Sequence, residues 1–191
     1  MPIVAPPVIL LPVGASAIAR IPPRRHPYRF QIELIQVRVD AHRIEMAATD
    51  GDVAALLSAP HAGTLEPCVG AILPEKCKDG ASVALTPFTV EDRLPPIREA
   101  IRSQFAGGSC SLEDVRALLR GSTGDVVDMS PLVKGRGLKL VEAKRLRKVA
   151  AMLGKLGADR LELAFAAVFG IRAELPDGGE VRISLAQAEP H

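Results

Sequence analysis

Between Tyr28 and Gly51, apolar and polar residues alternate in two runs separated by a short polar break. The first run places Phe30, Ile32 and Leu34 on one face, then Ile35, Val37 and Val39. Each half has the two-residue period of a half-buried strand. The phase slips by one between Leu34 and Ile35, which predicts a bulge or an inverted face at that point. After Asp40-Ala41-His42 the alternation resumes at Ile44, Met46 and Ala48 and closes on Ala48-Thr49-Asp50-Gly51. A strand, a turn and a second strand are expected, with Asp50 bonding its own backbone and Gly51 supplying a positive φ.

The same reading extends a strand-rich half over 28–90. Further strands are expected at Ala54–Leu57 and Val69–Leu73, and a short helical turn or loop over Pro74–Gly80. Val83, Leu85 and Val90 suggest one more strand, weakened by Pro87. Residues 91–137 read as an irregular connection with short helices. Pro95-Pro96 introduces a helix over Ile97–Phe105 that stops at Gly107-Gly108. Ser111 and Asp114 have the spacing of a capping box, followed by Leu112, Val115, Leu118 and Leu119 on one face up to Gly121.

Residues 138–191 predict strand, helix, strand, turn and strand. Leu138 and Leu140 alternate, a helix runs from Glu142 to Leu156 and stops at Gly157, and Leu161, Leu163 and Phe165 alternate again, extended by Val168 and Ile171. Pro176-Asp177-Gly178-Gly179 turns the chain into Val181, Ile183 and Leu185. At the other end, Pro2, Pro6, Pro7 and Pro12 interrupt an apolar stretch, so residues 1–27 are expected to form an extended or disordered arm. No basic segment precedes that stretch, and it cannot supply the roughly 20 uninterrupted apolar residues of a membrane span.

The hairpin closed by Ala48-Thr49-Asp50-Gly51 resembles the bacterial sliding clamp, the beta subunit of DNA polymerase III. In that family an Ala-Thr-Asp-Gly-His-Arg-Leu run follows a similar hairpin. Ile72-Leu73-Pro74 fits the same pattern, as does the helix-and-strand phrase from Val141 through Phe165. Asp92-Arg93-Leu94-Pro95-Pro96-Ile97-Arg98 resembles the clamp's Gly-Arg-Phe-Pro-Asp-Tyr element, with Leu94 in place of Phe and Pro96 in place of Asp. About two-thirds of the chain takes part; the arm and the capped segment around 109–124 do not. The resemblance implies an α+β fold in which a curved antiparallel sheet carries one or two helices. It also implies a non-catalytic processivity or tethering role in DNA replication, with double-stranded DNA and a polymerase or clamp as partners. A chain of 191 residues offers little more than one such domain, so a ring would take several copies.

Charge sharpens that expectation. The net charge is only +2, but between Lys134 and Arg160 nine Lys or Arg face Glu142 and Asp159, which leaves the remainder acidic. At 100° per residue, Leu146, Val149, Ala150, Leu153 and Leu156 fill one arc of the predicted helix, and Lys144, Arg147, Lys148 and Lys155 the opposite one. Such a face is either a solvated surface or a track for the DNA backbone, where each neutralised phosphate releases counterions. Arg24 and Arg25, set between prolines, form a second basic cluster with the same two readings. With one Tyr, five Phe and no Trp, base stacking on aromatic rings is disfavoured.

By resemblance, Thr49 and Gly51 match the wall of the pocket in which clamps receive client peptides. The family's His, Arg and Leu are replaced by Asp52, Val53 and Ala54, and its C-terminal Met-Pro-Met-Arg-Leu is missing, so the rim is acidic and small. The alternative from the residues alone is a plain turn. A protein-interaction module without DNA binding is the second functional class. The third is an enzyme built on His61 with Cys68 and Cys77, but their spacing matches no zinc pattern, and no phosphate loop or nucleophile elbow appears. No cofactor is expected. Three cysteines, an odd number without framework spacing, read as ordinary thiols of a reducing cytoplasm.

Overall fold

The computed structural model describes residues 6–22, 33–61, 66–87, 107–135 and 137–188. The predicted helix Ile97–Phe105, the Asp92–Arg98 element, Val90 and the segment 23–32 lie outside them.

The first element among the described residues is β1 (Val8–Leu10), followed by the short helix α1 (Ala15–Ile18). These residues are core and not an extended arm. Ile9, Leu11, Ala15, Ile18 and Ile21 are all buried, and β1 pairs with β6 (Ser82–Ala84). Pro6, Pro7 and Pro12 flank the three-residue strand, where a missing N–H costs no ladder bond. Gly14 makes the entry into α1 possible: its φ is 92°, and a Cβ there would lie 2.4 Å from Leu156 Cδ2.

A meander follows: β2 (Ile35–Val39), β3 (Arg43–Thr49) and β4 (Val53–Pro60), each antiparallel to the next. Ile44, Met46 and Ala48 point to the core as the alternation predicts. The phase slip is absorbed differently from expectation. The strand starts at Ile35, so Leu34 lies ahead of it and Ile35, Val37 and Val39 keep one face. β5 (Cys68–Ile72) and a single 3₁₀ turn at Pro74–Lys76 come next, and β7 (Thr86–Pro87) adds to β5.

The middle is more regular than its sequence suggests. β8 (Gly108–Ser111) leads directly into α2 (Leu112–Gly121), and β9 (Val126–Asp128) pairs with β10 (Leu140–Glu142). The capping box is present: Ser111 Oγ accepts from Asp114 N at 3.1 Å, and Asp114 Oδ2 accepts from Ser111 N at 2.8 Å. Leu138 is exposed and precedes β10 instead of belonging to it. Then come α3 (Ala143–Lys155), β11 (Arg160–Phe165), β12 (Phe169–Glu174) and β13 (Glu180–Leu185). A bend at Ala166–Val168 divides what the sequence presents as one strand region into β11 and β12.

One sheet takes nine strands in the order β7-β5-β2-β3-β4-β13-β12-β11-β8, antiparallel throughout. The two halves of the chain meet where β4 pairs with β13, from Val53 opposite Leu185 to Ser58 opposite Glu180. Across this seam Ala55, Leu57, Val181, Ile183 and Leu185 are buried on the same face as Met46 and Ile171. The helices cover that face. Leu112, Val115 and Leu119 of α2 and Leu146, Val149 and Leu153 of α3 complete the core. Removing this much apolar surface from water is the main favourable contribution to the fold. The opposite face carries a cross-strand charge ladder, with Arg172 bridging Glu162 at 3.0 Å and Glu180 at 2.5 Å.

Candidate functional site

The sequence of α3 dictates its two sides. Ala143, Leu146, Val149, Ala150 and Leu153 are buried against the sheet. Lys144, Arg147, Ala151 and Lys155 are exposed, with Lys148 half-exposed. These five positions fall within about 100° of arc, and Lys144 and Lys155 stand about 16 Å apart along the axis. Between its first and last residues α3 holds five cations and no acid. Two of them, Lys144 and Arg145, sit in the first turn, where the helix dipole favours negative charge. Arg145 is compensated there by Glu142 and Asp52, whereas Lys144 gains nothing from the helix at its position.

α1 and α2 flank this ridge. Arg116 of α2 lies over Gly154, where a Cβ would come within 2.5 Å of its guanidinium. On the other side a small cleft of about 130 Å³ runs between α1 and α3, lined by Arg20, Ile21, Lys148, Met152 and Lys155. Arg20 is exposed, and it extends the cationic strip beyond α3. No helical period along the chain connects it with Lys155. At the other end of α3 a cleft of about 490 Å³ is lined by Asp125, Glu142, Lys144, Arg145, Arg147 and Gln187.

Not every predicted cation is free. Lys148 Nζ donates to Asp50 Oδ2 at 2.8 Å and to Ile21 O at 3.2 Å. Arg145 is held between Asp52 and Glu142, 2.9 Å from each. Among the described residues Lys144, Arg147, Lys155 and Arg20 have no acidic partner. The sequence places Lys148 with the outward row; the fold brings Asp50 to it across 98 positions of chain. Arg24 and Arg25 lie outside the described residues.

The Thr49–Val53 turn is a closed hydrogen-bonded unit. Thr49 is buried; its hydroxyl donates to Val53 O and accepts from Gly51 N, each at 3.0 Å. Asp50 Oδ1 accepts from Val53 N at 2.7 Å and Asp52 N at 3.1 Å, and Gly51 has φ 99°. Burial raises the Asp50 pKa, but Lys148 and the Val53 amide outweigh it and hold the carboxyl below its ordinary value. The polar groups of Thr49 and Asp50 are thus spent on the turn and on α3, and Asp52 reaches Arg145. The Asp50 cap and the positive φ of Gly51 are those the sequence predicts for the turn.

All three thiols are held above their ordinary range. Burial, helped by the Glu75 and Asp79 carboxylates, pushes Cys77 up to about 12. Burial and Asp114 push Cys110 up to about 11, and burial alone raises Cys68. Among the described residues no three His, Cys, Asp or Glu side chains converge as a metal site. No helix of the described residues is long and apolar enough to cross a membrane.

Comparison with solved structures gives the architecture its place. The beta subunit of the Streptococcus pyogenes DNA polymerase superposes with a TM-score of 0.66 over 93% of this chain, at 10% identity. A Helicobacter pylori beta clamp in complex with carprofen reaches 0.70 over 100% of the chain, at 12% identity. The fold is that of a bacterial sliding clamp. A further H. pylori clamp, bound to a DNA ligase peptide, matches at 0.63 with 12% identity over 98% of the chain. This chain spans 62% of the streptococcal clamp's length and 68–69% of the two H. pylori clamps. No protein-family model and no curated protein matches the sequence. On the clamp fold, the predicted α+β class and the antiparallel sheet carrying helices are both realised.

Proposed function

We propose that this chain is a clamp-fold tether that holds duplex DNA by its backbone, without reading bases, and serves replication as a non-catalytic processivity or tethering factor. The observation that carries this reading is the outward face of α3. Lys144, Arg147, Lys148 and Lys155 are concentrated on one arc, face away from the sheet, start in the first turn where the helix dipole disfavours a cation, and continue onto Arg20. A row of exposed ammonium and guanidinium groups about 16 Å long matches a polyanion of regular spacing. The Streptococcus and Helicobacter proteins of this fold are described as polymerase beta subunits and clamps, which supports the same assignment.

Titration of a fluorescent duplex across a series of salt concentrations tests it. Log affinity should fall linearly with log salt, with a slope of about 0.9 for each phosphate neutralised. Lys144→Glu, Arg147→Glu and Lys155→Glu together should abolish binding while the far-ultraviolet circular dichroism stays unchanged. Binding that persists undiminished in the triple variant removes the proposal.

A second reading, a protein-interaction module, is favoured by one observation. Val8, Leu10 and Val13 are 61%, 58% and 66% exposed beside one another near β1. A partner captured through these residues would be retained by the triple charge reversal and lost with Leu10→Asp.

A further inference from the structure

The cationic strip on α3 is partly countered from within the molecule. The β3–β4 turn presents two carboxylates to α3, and each takes one cation: Asp50 with Lys148 at 2.8 Å and Asp52 with Arg145 at 2.9 Å. Three of these four side chains are fixed at a second point. Asp50 is fixed by the backbone bonds its other oxygen accepts from Val53 and Asp52, so Oδ2 is aimed before Lys148 arrives. Lys148 is fixed at a second point by Ile21 O, and Arg145 at a second point by Glu142.

We infer that Asp50 and Asp52 act as built-in competitors of the DNA backbone and set the strength and salt tolerance of its grip on α3. The inference rests on the DNA-binding reading above. A phosphate approaching Lys148 must displace Asp50 or share the ammonium with it, and the carboxylate remains alongside as a like charge. Lys144, Arg147, Lys155 and Arg20, without an acidic partner among the described residues, supply the baseline attraction, while Lys148 and Arg145 respond only to a ligand whose charge density exceeds that of one carboxylate. Duplex DNA, with a phosphate charge every 1.7 Å or so of axis, meets that condition. A weakened grip suits a tether that must move along its track.

The test compares the wild-type protein with Asp50→Asn, Asp52→Asn and the double variant, using a random-sequence DNA duplex as probe. Asn preserves an acceptor for the turn amides, and Asp52 is exposed enough that its variant alone keeps the experiment interpretable. The double variant should bind several-fold tighter, with its salt slope steeper by about one for each cation released. Lys148→Gln should cost more affinity in the Asp50→Asn background than in the wild-type background, a coupling that a purely structural ion pair would not produce. Equal affinity and slope in a folded double variant, with no coupling, would overturn the inference while leaving the DNA reading intact. Absence of duplex binding by the wild type and the variants alike at low salt would instead remove the DNA reading itself.

Discussion

Lys148 Nζ and Asp50 Oδ2 lie 2.8 Å apart, and this pair joins the long helix to the tip of the β3–β4 turn. Because Lys148 also reaches Ile21 O, one ammonium ties together α3, the first meander and the segment after α1. Replacing it by Met should destabilise the protein by about 1 kcal/mol, a charged hydrogen bond discounted for the partial exposure of both partners. Urea denaturation of the variant measures this, and an unchanged midpoint would show the pair to be ornamental.

Acid should weaken the fold through identifiable carboxylates. For Glu180, burial raises the pKa, but Arg182 and Arg172 outweigh it and the group titrates below its ordinary 4.5; Asp50 likewise sits below 3.8. A pKa depressed by folding means that the unfolded chain takes up protons first as pH falls. Their stabilisation is therefore complete above about pH 5 and is lost as pH drops through 4 and onward to the folded values. The urea midpoint should fall between pH 6 and pH 3, and it should fall less in Asp50→Asn and in Glu180→Gln.

Gly14→Ala should be among the more damaging small changes. Both the positive φ and the 2.4 Å approach to Leu156 oppose a Cβ. A loss of about 2–3 kcal/mol is expected from strain and overpacking together. Thermal unfolding of the variant, compared with Gly80→Ala, separates the two terms. Gly80 also has positive φ, but there a Cβ would meet nothing within 4 Å.

Ser111→Ala should cost about 1 kcal/mol by leaving the Asp114 amide without its cap. Hydrogen exchange should show the loss first in the amides of the initial turn of α2.

Alkylation at pH 8 should find all three thiols slow and Cys77 the slowest, since the thiolate is the reactive form and burial suppresses it most there. Mass spectrometry of timed samples gives the order, and unfolding in urea should equalise the rates.

What could be read from the chain follows from how local each signal is. The two sides of α3, the Ser111–Asp114 cap and the alternation at Ile44, Met46 and Ala48 are written within a few consecutive residues, so periodicity and cap chemistry suffice to find them. The segment 6–22 reads as an arm in the sequence because a three-residue strand and a four-residue helix are too short to show a period, and because the partner of Ile9 is Val83, far along the chain. The same distance hid the countering of Lys148 by Asp50 and the proximity of Arg20 to Lys155. Long-range pairing, and not residue chemistry, is what the alternation cannot report.

The seam between β4 and β13 sets the order of events when this protein is made. Leu57 must wait for Val181, with most of the chain still to be synthesised between them. Until then the early meander has an unsatisfied edge, a template for unwanted strand addition. Closing so large a loop is slow compared with forming local hairpins. Newly made chains should therefore depend on chaperones or low concentration until the last strand docks, and removal of β13 should yield aggregates instead of a smaller folded unit.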